Sequence, residues 1–162
     1  MGIEDFKILI TRTRPKSKVA HGFQVVLDCK DPAGLAGFYA EVLHYKVQEP
    51  PSGFKSWDDF LKSKGIPQEE WNSGNAIVDP SGKGPRIYFQ QMDTPKFGKN
   101  RLHLDVSASG GSRVPIAERR AQVDAEVARV IGLGATKERE VDETGEYCVV
   151  MLDPEGNEFC IQ

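Results

Sequence analysis

The sequence predicts an α+β protein, two βαβββ modules whose strands form a curved mixed sheet around a cavity. Three observations predict it. The order strand, helix, strand, strand, strand is read twice along the 162 residues. An Asp-Pro-x-Gly turn falls at the same step of each unit, at Asp79 and at Asp153, just before the last strand. The strands alternate apolar and polar residues, as sheets covered on one face require. The reading divides the chain into an N-terminal arm (1–21), a first module (22–95) and a second (96–162).

The arm holds a short apolar run, Ile8, Leu9 and Ile10, which suits an edge strand, and a local basic segment. Phe23 to Lys30 reads as a strand with Phe23, Val25, Leu27 and Cys29 on the apolar side. Asp31-Pro32 opens a helix, Asp as N-cap and Pro at the first helical position. Leu35, Phe38, Tyr39, Val42 and Leu43 give it one apolar stripe, and it ends near His44. A short strand, Tyr45 to Gln48, is cut by Glu49-Pro50-Pro51. The irregular stretch 49–73 holds a Ser56-capped helix and both tryptophans, Trp57 and Trp71. The tryptophans are read either as a cap over a binding cavity or as cover for a sheet edge. Strands at Ala76 to Val78 and Ile87 to Met92 close the first module.

Arg101 to Val106 reads as the next strand, Leu102, Leu104 and Val106 on one side and Arg101, His103 and Asp105 on the other. A helix from Pro115 to Gly132 carries Ile116, Val123, Val127, Val130 and Ile131 on one face and stops at glycines. Strands at Thr136 to Val141, Tyr147 to Leu152 and Glu158 to Gln162 follow, the first two joined by a Thr144-Gly145 turn. The helix-covered side of each sheet should be apolar. The other side collects Gln24, Val26 and Asp28; Arg86, Tyr88 and Gln90; Arg101, His103 and Asp105; and Glu158, Cys160 and Gln162.

Composition narrows the partners. A net charge of −3 and a pI of about 5.7 give no basic field for nucleic acid. No apolar run approaches the roughly 20 residues needed to span a bilayer, and no secretion signal is read at the N-terminus. Three cysteines without C-x-x-C spacing fit reduced thiols in the cytoplasm.

The helix AGLAGFYAEVLHYKV and the endings DPSGKGPRIYFQ and DPEGNEFCIQ, set in the doubled βαβββ order, resemble the vicinal oxygen chelate superfamily. That group holds glyoxalase I, extradiol dioxygenases and bleomycin-resistance binding proteins. KNRLHLDV and MLDPEGNEFCIQ are similar to its glyoxalase-like members. The resemblance implies the glyoxalase/bleomycin resistance/dioxygenase fold, a small-molecule ligand between the modules and a homodimer. In metal-dependent members four inward strands each give one ligand to a divalent metal that acts as a Lewis acid. Carried over by strand and parity, those positions are Gln24, Tyr88, Arg101 and Cys160. A guanidinium has no lone pair to offer and repels a cation, so the usual metal site is not expected.

Three functions stay open. In the first, the protein binds an anionic or aromatic small molecule. Arg101 grips an anion, Gln24, Tyr88, Gln90, Asp105, Glu158 and Cys160 line the floor, and Trp57 covers it. In the second, a metal-dependent lyase, isomerase or dioxygenase uses a shifted set, His103, Glu158, Cys160 and Gln24. In the third, His103 is a metal-free proton carrier and Arg101 steadies an oxyanion. The first is preferred, with no cofactor and a divalent metal as the alternative. Its plain competitor is an ion pair of Arg101 with Glu158 or Asp105.

Overall fold

Asp31 and Pro32 start the first helix where the sequence places its start. The Asp31 carboxylate accepts the Gly34 N–H at 3.2 Å, and Pro32 stands where no N–H is needed. The structure, a computed structural model, describes residues 22–143 and 146–162. The N-terminal arm with its apolar run and His21, and the Thr144-Gly145 turn, lie outside the described residues.

The first unit is β1 (Val25–Cys29), α1 (Pro32–Leu43), β2 (Lys46–Val47), α2 (Trp57–Ser63), β3 (Gly74–Val78) and β4 (Ile87–Gln91). The second is β5 (Asp105–Val106), α3 (Ile116–Gly132), β6 (Thr136–Glu143), β7 (Glu146–Leu152) and β8 (Glu158–Ile161). His44 ends α1 in the left-handed conformation at φ 55°, and the Ser56 hydroxyl accepts the Asp59 N–H to begin α2. Each unit builds one four-stranded sheet, and the strand orders match: β1-β4-β3-β2 and β5-β8-β7-β6. The β1–β4 and β5–β8 pairs are parallel and the others antiparallel. The doubled βαβββ order is therefore borne out, as two sheets rather than one continuous ladder among the described residues.

The core lies on the helix side of both sheets. Tyr39 of α1 stacks on Phe89 of β4, ring centroids 5.9 Å apart, and meets Phe159 of β8 edge-on at 6.0 Å. Its hydroxyl donates to Asp153 at 3.1 Å in the buried interior. So α1 packs against both modules. Phe159 of β8, in the second module, presses on Phe38 and Tyr39 of the first helix.

Several expected core residues are not buried. Phe23 precedes β1 and is 75% exposed, and Leu102 is 64% exposed. Ile116 and Ile131 lie at the two ends of α3, where only Val123, Val127 and Val130 are buried. The expected strand from Arg101 to Val106 is cut to Asp105–Val106 for a physical reason. Glu158 of β8 accepts the Asn100 N–H at 3.0 Å and pairs with Lys96 at 3.2 Å, anchoring the incoming link to the start of β8. The chain joins the ladder only at Leu104, whose carbonyl accepts the Cys160 N–H at 2.8 Å.

Candidate functional site

Ladder register decides which side chains share a neighbourhood. Ala76 and Val150 each stand three residues before an Asp-Pro turn, and they face Tyr88 and Cys160 across their ladders. Tyr88 pairs with Val26 on its other side, and Cys160 with Asp105. The registers thus equate Tyr88 with Cys160, Val26 with Asp105, Gly74 with Cys148 and Gln24 with His103. The carry-over to Arg101 is corrected here: the counterpart of Gln24 is His103, two residues further on.

On module one's open face an arginine holds the predicted residues. Arg86 donates to Gln24 Oε1 at 2.8 Å and to Gln48 Oε1 at 2.6 Å, and its guanidinium lies 5.1 Å from the Tyr88 ring centroid. The Tyr88 hydroxyl covers Gly74, in the space a Cβ there would need. The sequence put Arg86 on this face by parity but did not mark it as a site residue. Gln90 is exposed beside them on β4.

Module two's open face collects Lewis bases. His103 Nε2 lies 3.3 Å from Asp105 Oδ1, both side chains more than two-fifths exposed. Donor atoms of His103, Asp105 and Cys160 all lie within 4.8 Å of one another. The Cys148 thiol lies against the Cys160 thiol. Burial, then the Asp105 carboxylate, push the Cys160 thiol up to about 11, and burial also raises Cys148. Cys148 was read only as a reduced thiol. Its place on this face was legible from the alternation of β7.

The remaining predicted residues lie elsewhere. Glu158 is 9% exposed. Burial works to raise its carboxyl, but the Asn100 N–H and the Lys96 ammonium outweigh that and hold it below the usual range. The expected ion pair of Arg101 with Glu158 or Asp105 is therefore corrected: Lys96 pairs with Glu158, and His103 stands against Asp105. Trp57 donates its indole N–H to the Gln48 carbonyl at 2.7 Å and packs edge-on to Phe60. Trp71 donates to Ile66. Both indoles tie down their own loop.

Arg101 lines a cavity of about 700 Å³ at the seam between the modules. Val26, Asp28 and Lys30 of the β1 segment form one wall, the link with Met92, Lys96 and Asn100 another, and Glu155 and Asn157 a third. Glu155 is committed, accepting the Lys30 and Asp31 N–H groups at 2.7 Å each. Arg101 is exposed to the cavity and has no hydrogen-bond or ion-pair partner among the described residues.

Paired βαβββ modules with open faces on matching strands give the chain the fold of the glyoxalase/bleomycin resistance/dioxygenase proteins. The chain belongs to the glyoxalase-like domain family, whose model matches residues 24–162. It is similar in structure to a glyoxalase/bleomycin resistance protein/dioxygenase family enzyme from Burkholderia phytofirmans PsJN: TM-score 0.56, 19% identity, 85% of this chain and 94% of that one covered. A mutant fosfomycin resistance protein from Listeria monocytogenes, bound to Mn(II) and 1S,2S-dihydroxypropylphosphonic acid, superposes at TM-score 0.56, 12% identity, covering 90% of each chain. A possible glyoxalase from Bacillus cereus gives TM-score 0.55 at 12% identity over 89% of this chain and 99% of its own. At these identities the likeness is one of fold. No curated protein sequence matches the chain. No helix among the described residues is long and apolar enough to cross a membrane.

The family's metal site would draw on both modules, at Gln24, Tyr88, His103 and Cys160. The module-one half does not fit a cation. The Gln24 oxygen is taken by the Arg86 guanidinium, and the same positive charge sits over Tyr88. A metal shared between the modules is not supported by these residues. The alternative set with Gln24 and Glu158 fails likewise, since Glu158 is bound to Lys96 and Asn100.

Proposed function

We propose that the protein binds a small anionic molecule in the seam cavity without a metal shared between its modules. One observation carries this reading: Arg101, without a hydrogen-bond or ion-pair partner among the described residues, on the wall of a cavity of about 700 Å³. A guanidinium holds a carboxylate, phosphate or phosphonate through two parallel hydrogen bonds, and a partly enclosed wall strengthens them. Lys30 adds positive charge at the same cavity, where Lys96 is paired with Glu158. Val26, Met92 and Leu102 give an apolar side on which an aromatic or alkyl body rests. The phosphonic acid held by the listerial neighbour belongs to the same anion class. The resemblance also supports a homodimer, and three free cysteines fit a reducing cytoplasm.

Calorimetry with small carboxylates, phosphates and phosphonates, each beside its neutral amide or ester, tests the reading. The anions bind and their neutral partners do not. Arg101→Ala weakens binding roughly ten- to hundredfold, the worth of about 1.5–3 kcal/mol for hydrogen bonds to a charged group. Equal binding of the neutral partners, or full affinity in Arg101→Ala, overturns it.

A further inference from the structure

We infer that module two by itself holds a divalent cation of the zinc type, with His103, Asp105 and Cys160 as its three protein ligands. The inference goes beyond the anion reading and rests on different residues. Asp105 and Cys160 are register partners on adjacent parallel strands, so their side chains leave one sheet face together. His103 precedes Asp105 by one alternation and reaches the same spot, its Nε2 already 3.3 Å from Asp105 Oδ1. A tetrahedral zinc ion with bonds of about 2.0–2.1 Å to nitrogen and oxygen and about 2.3 Å to sulfur spaces its donors about 3.4–3.6 Å apart. The imidazole and carboxylate stand at about that spacing. The thiol lies within 4.8 Å of both, close enough for a side-chain rotation to bring it in.

The donor types select the cation. Imidazole nitrogen with a thiolate suits zinc, cobalt or another borderline metal, whereas magnesium and calcium take oxygen ligands. One carboxylate and one thiolate neutralise the two charges of the ion, which offsets the repulsion of Lys99 near Cys160 and Arg139 near Cys148. Three protein ligands leave a fourth position open, and the exposure of His103 and Asp105 leaves it facing solvent. Here His103 serves as a ligand, not as the proton carrier the sequence suggested. Cys148 neighbours the Cys160 thiol but is not one of the three clustered donors.

Cobalt(II) gives a direct readout, since thiolate coordination adds an intense near-ultraviolet charge-transfer band. The full chain, prepared without a histidine tag and stripped with chelator, is titrated with Co(II) and then competed with Zn(II). One equivalent should bind with that band and with visible bands of four-coordinate intensity. Cys160→Ser should abolish the band, and His103→Ala and Asp105→Asn should each weaken Zn(II) at least tenfold. Cys148→Ser and Arg101→Ala should keep the band. His103 and Asp105 are exposed, so their variants fold, and circular dichroism checks this. Absence of the band at saturating Co(II), its survival in Cys160→Ser, or unchanged zinc affinity in both His103→Ala and Asp105→Asn overturns the inference.

Discussion

The two modules are built on one plan and differ at four matching positions. Module one carries Gln24, Val26, Tyr88 and Gly74 where module two carries His103, Asp105, Cys160 and Cys148. In module one a ring lies over a glycine, and a guanidinium over the ring. The Gln24 oxygen there is taken by the Arg86 guanidinium. In module two the same places hold two thiols, a carboxylate and an imidazole, and His103, Asp105 and Cys160 gather their donor atoms within 4.8 Å of one another. Strand order and register are shared, so backbone does not explain the difference. Four side chains make one face a packed surface and the other a set of donors.

The turn aspartates differ as strongly. Asp153 is 3% exposed and accepts from Tyr39, from the Glu155 and Asn157 N–H groups and from the Asn157 amide. Asp79 accepts from Ser81, Lys83 and Gly84 of its own turn, at the surface. Asp153→Ala should produce the largest loss of stability, about 3–5 kcal/mol, because it orphans a buried tyrosine hydroxyl and two backbone donors where α1 meets both modules. Asp79→Ala should lose much less, and urea denaturation of the pair checks the contrast. Equal losses would mean that Asp153 does not join the modules.

A smaller effect separates the open faces. At Gly74→Ala the new methyl meets the Tyr88 hydroxyl, so the ring must leave its place beneath Arg86. The expected cost is about 1–2 kcal/mol from overpacking. At the matching position of module two no ring needs the space, and Cys148→Ala should cost about 1 kcal/mol or less. If the two substitutions cost the same, the modules pack their open faces alike and the contrast fails.

Much of this fold was legible because its signals are local. Asp31-Pro32, the Ser56 cap and the two Asp-Pro turns fix starts and stops through their own hydrogen bonds. The face each residue joins was legible too, since alternation with period two separates His103 and Asp105 from Leu104 and Val106. Position along the strand was not. A slip of two residues leaves every side chain on its face, so RLHLDV fits the repeat equally well with Arg101 or His103 opposite Gln24. Only the pairing of Asp105 with Cys160 decides it. Trp57 shows a second limit. An aromatic loop reads the same whether its indole caps a cavity or donates to a carbonyl nine residues back in the chain.

The smallest expected effect follows the Asp79 turn through pH. The Ser81 hydroxyl, then the Ser81 and Gly84 N–H groups, stabilise the Asp79 carboxylate and hold it at about 2. The unfolded chain offers no such donors, and an aspartate there titrates at about 3.9. The folded value is the lower one, so the unfolded state binds the proton first. The turn's contribution is complete above about 4 and is lost as pH falls from there toward about 2. Wild type and Asp79→Asn should therefore differ in melting temperature at pH 6 and converge as pH falls to about 2. A carboxyl-carbon NMR titration locates the midpoint directly. A midpoint at the ordinary aspartate value would show that the turn's donors face water and that module one's Asp-Pro turn is held by its backbone alone.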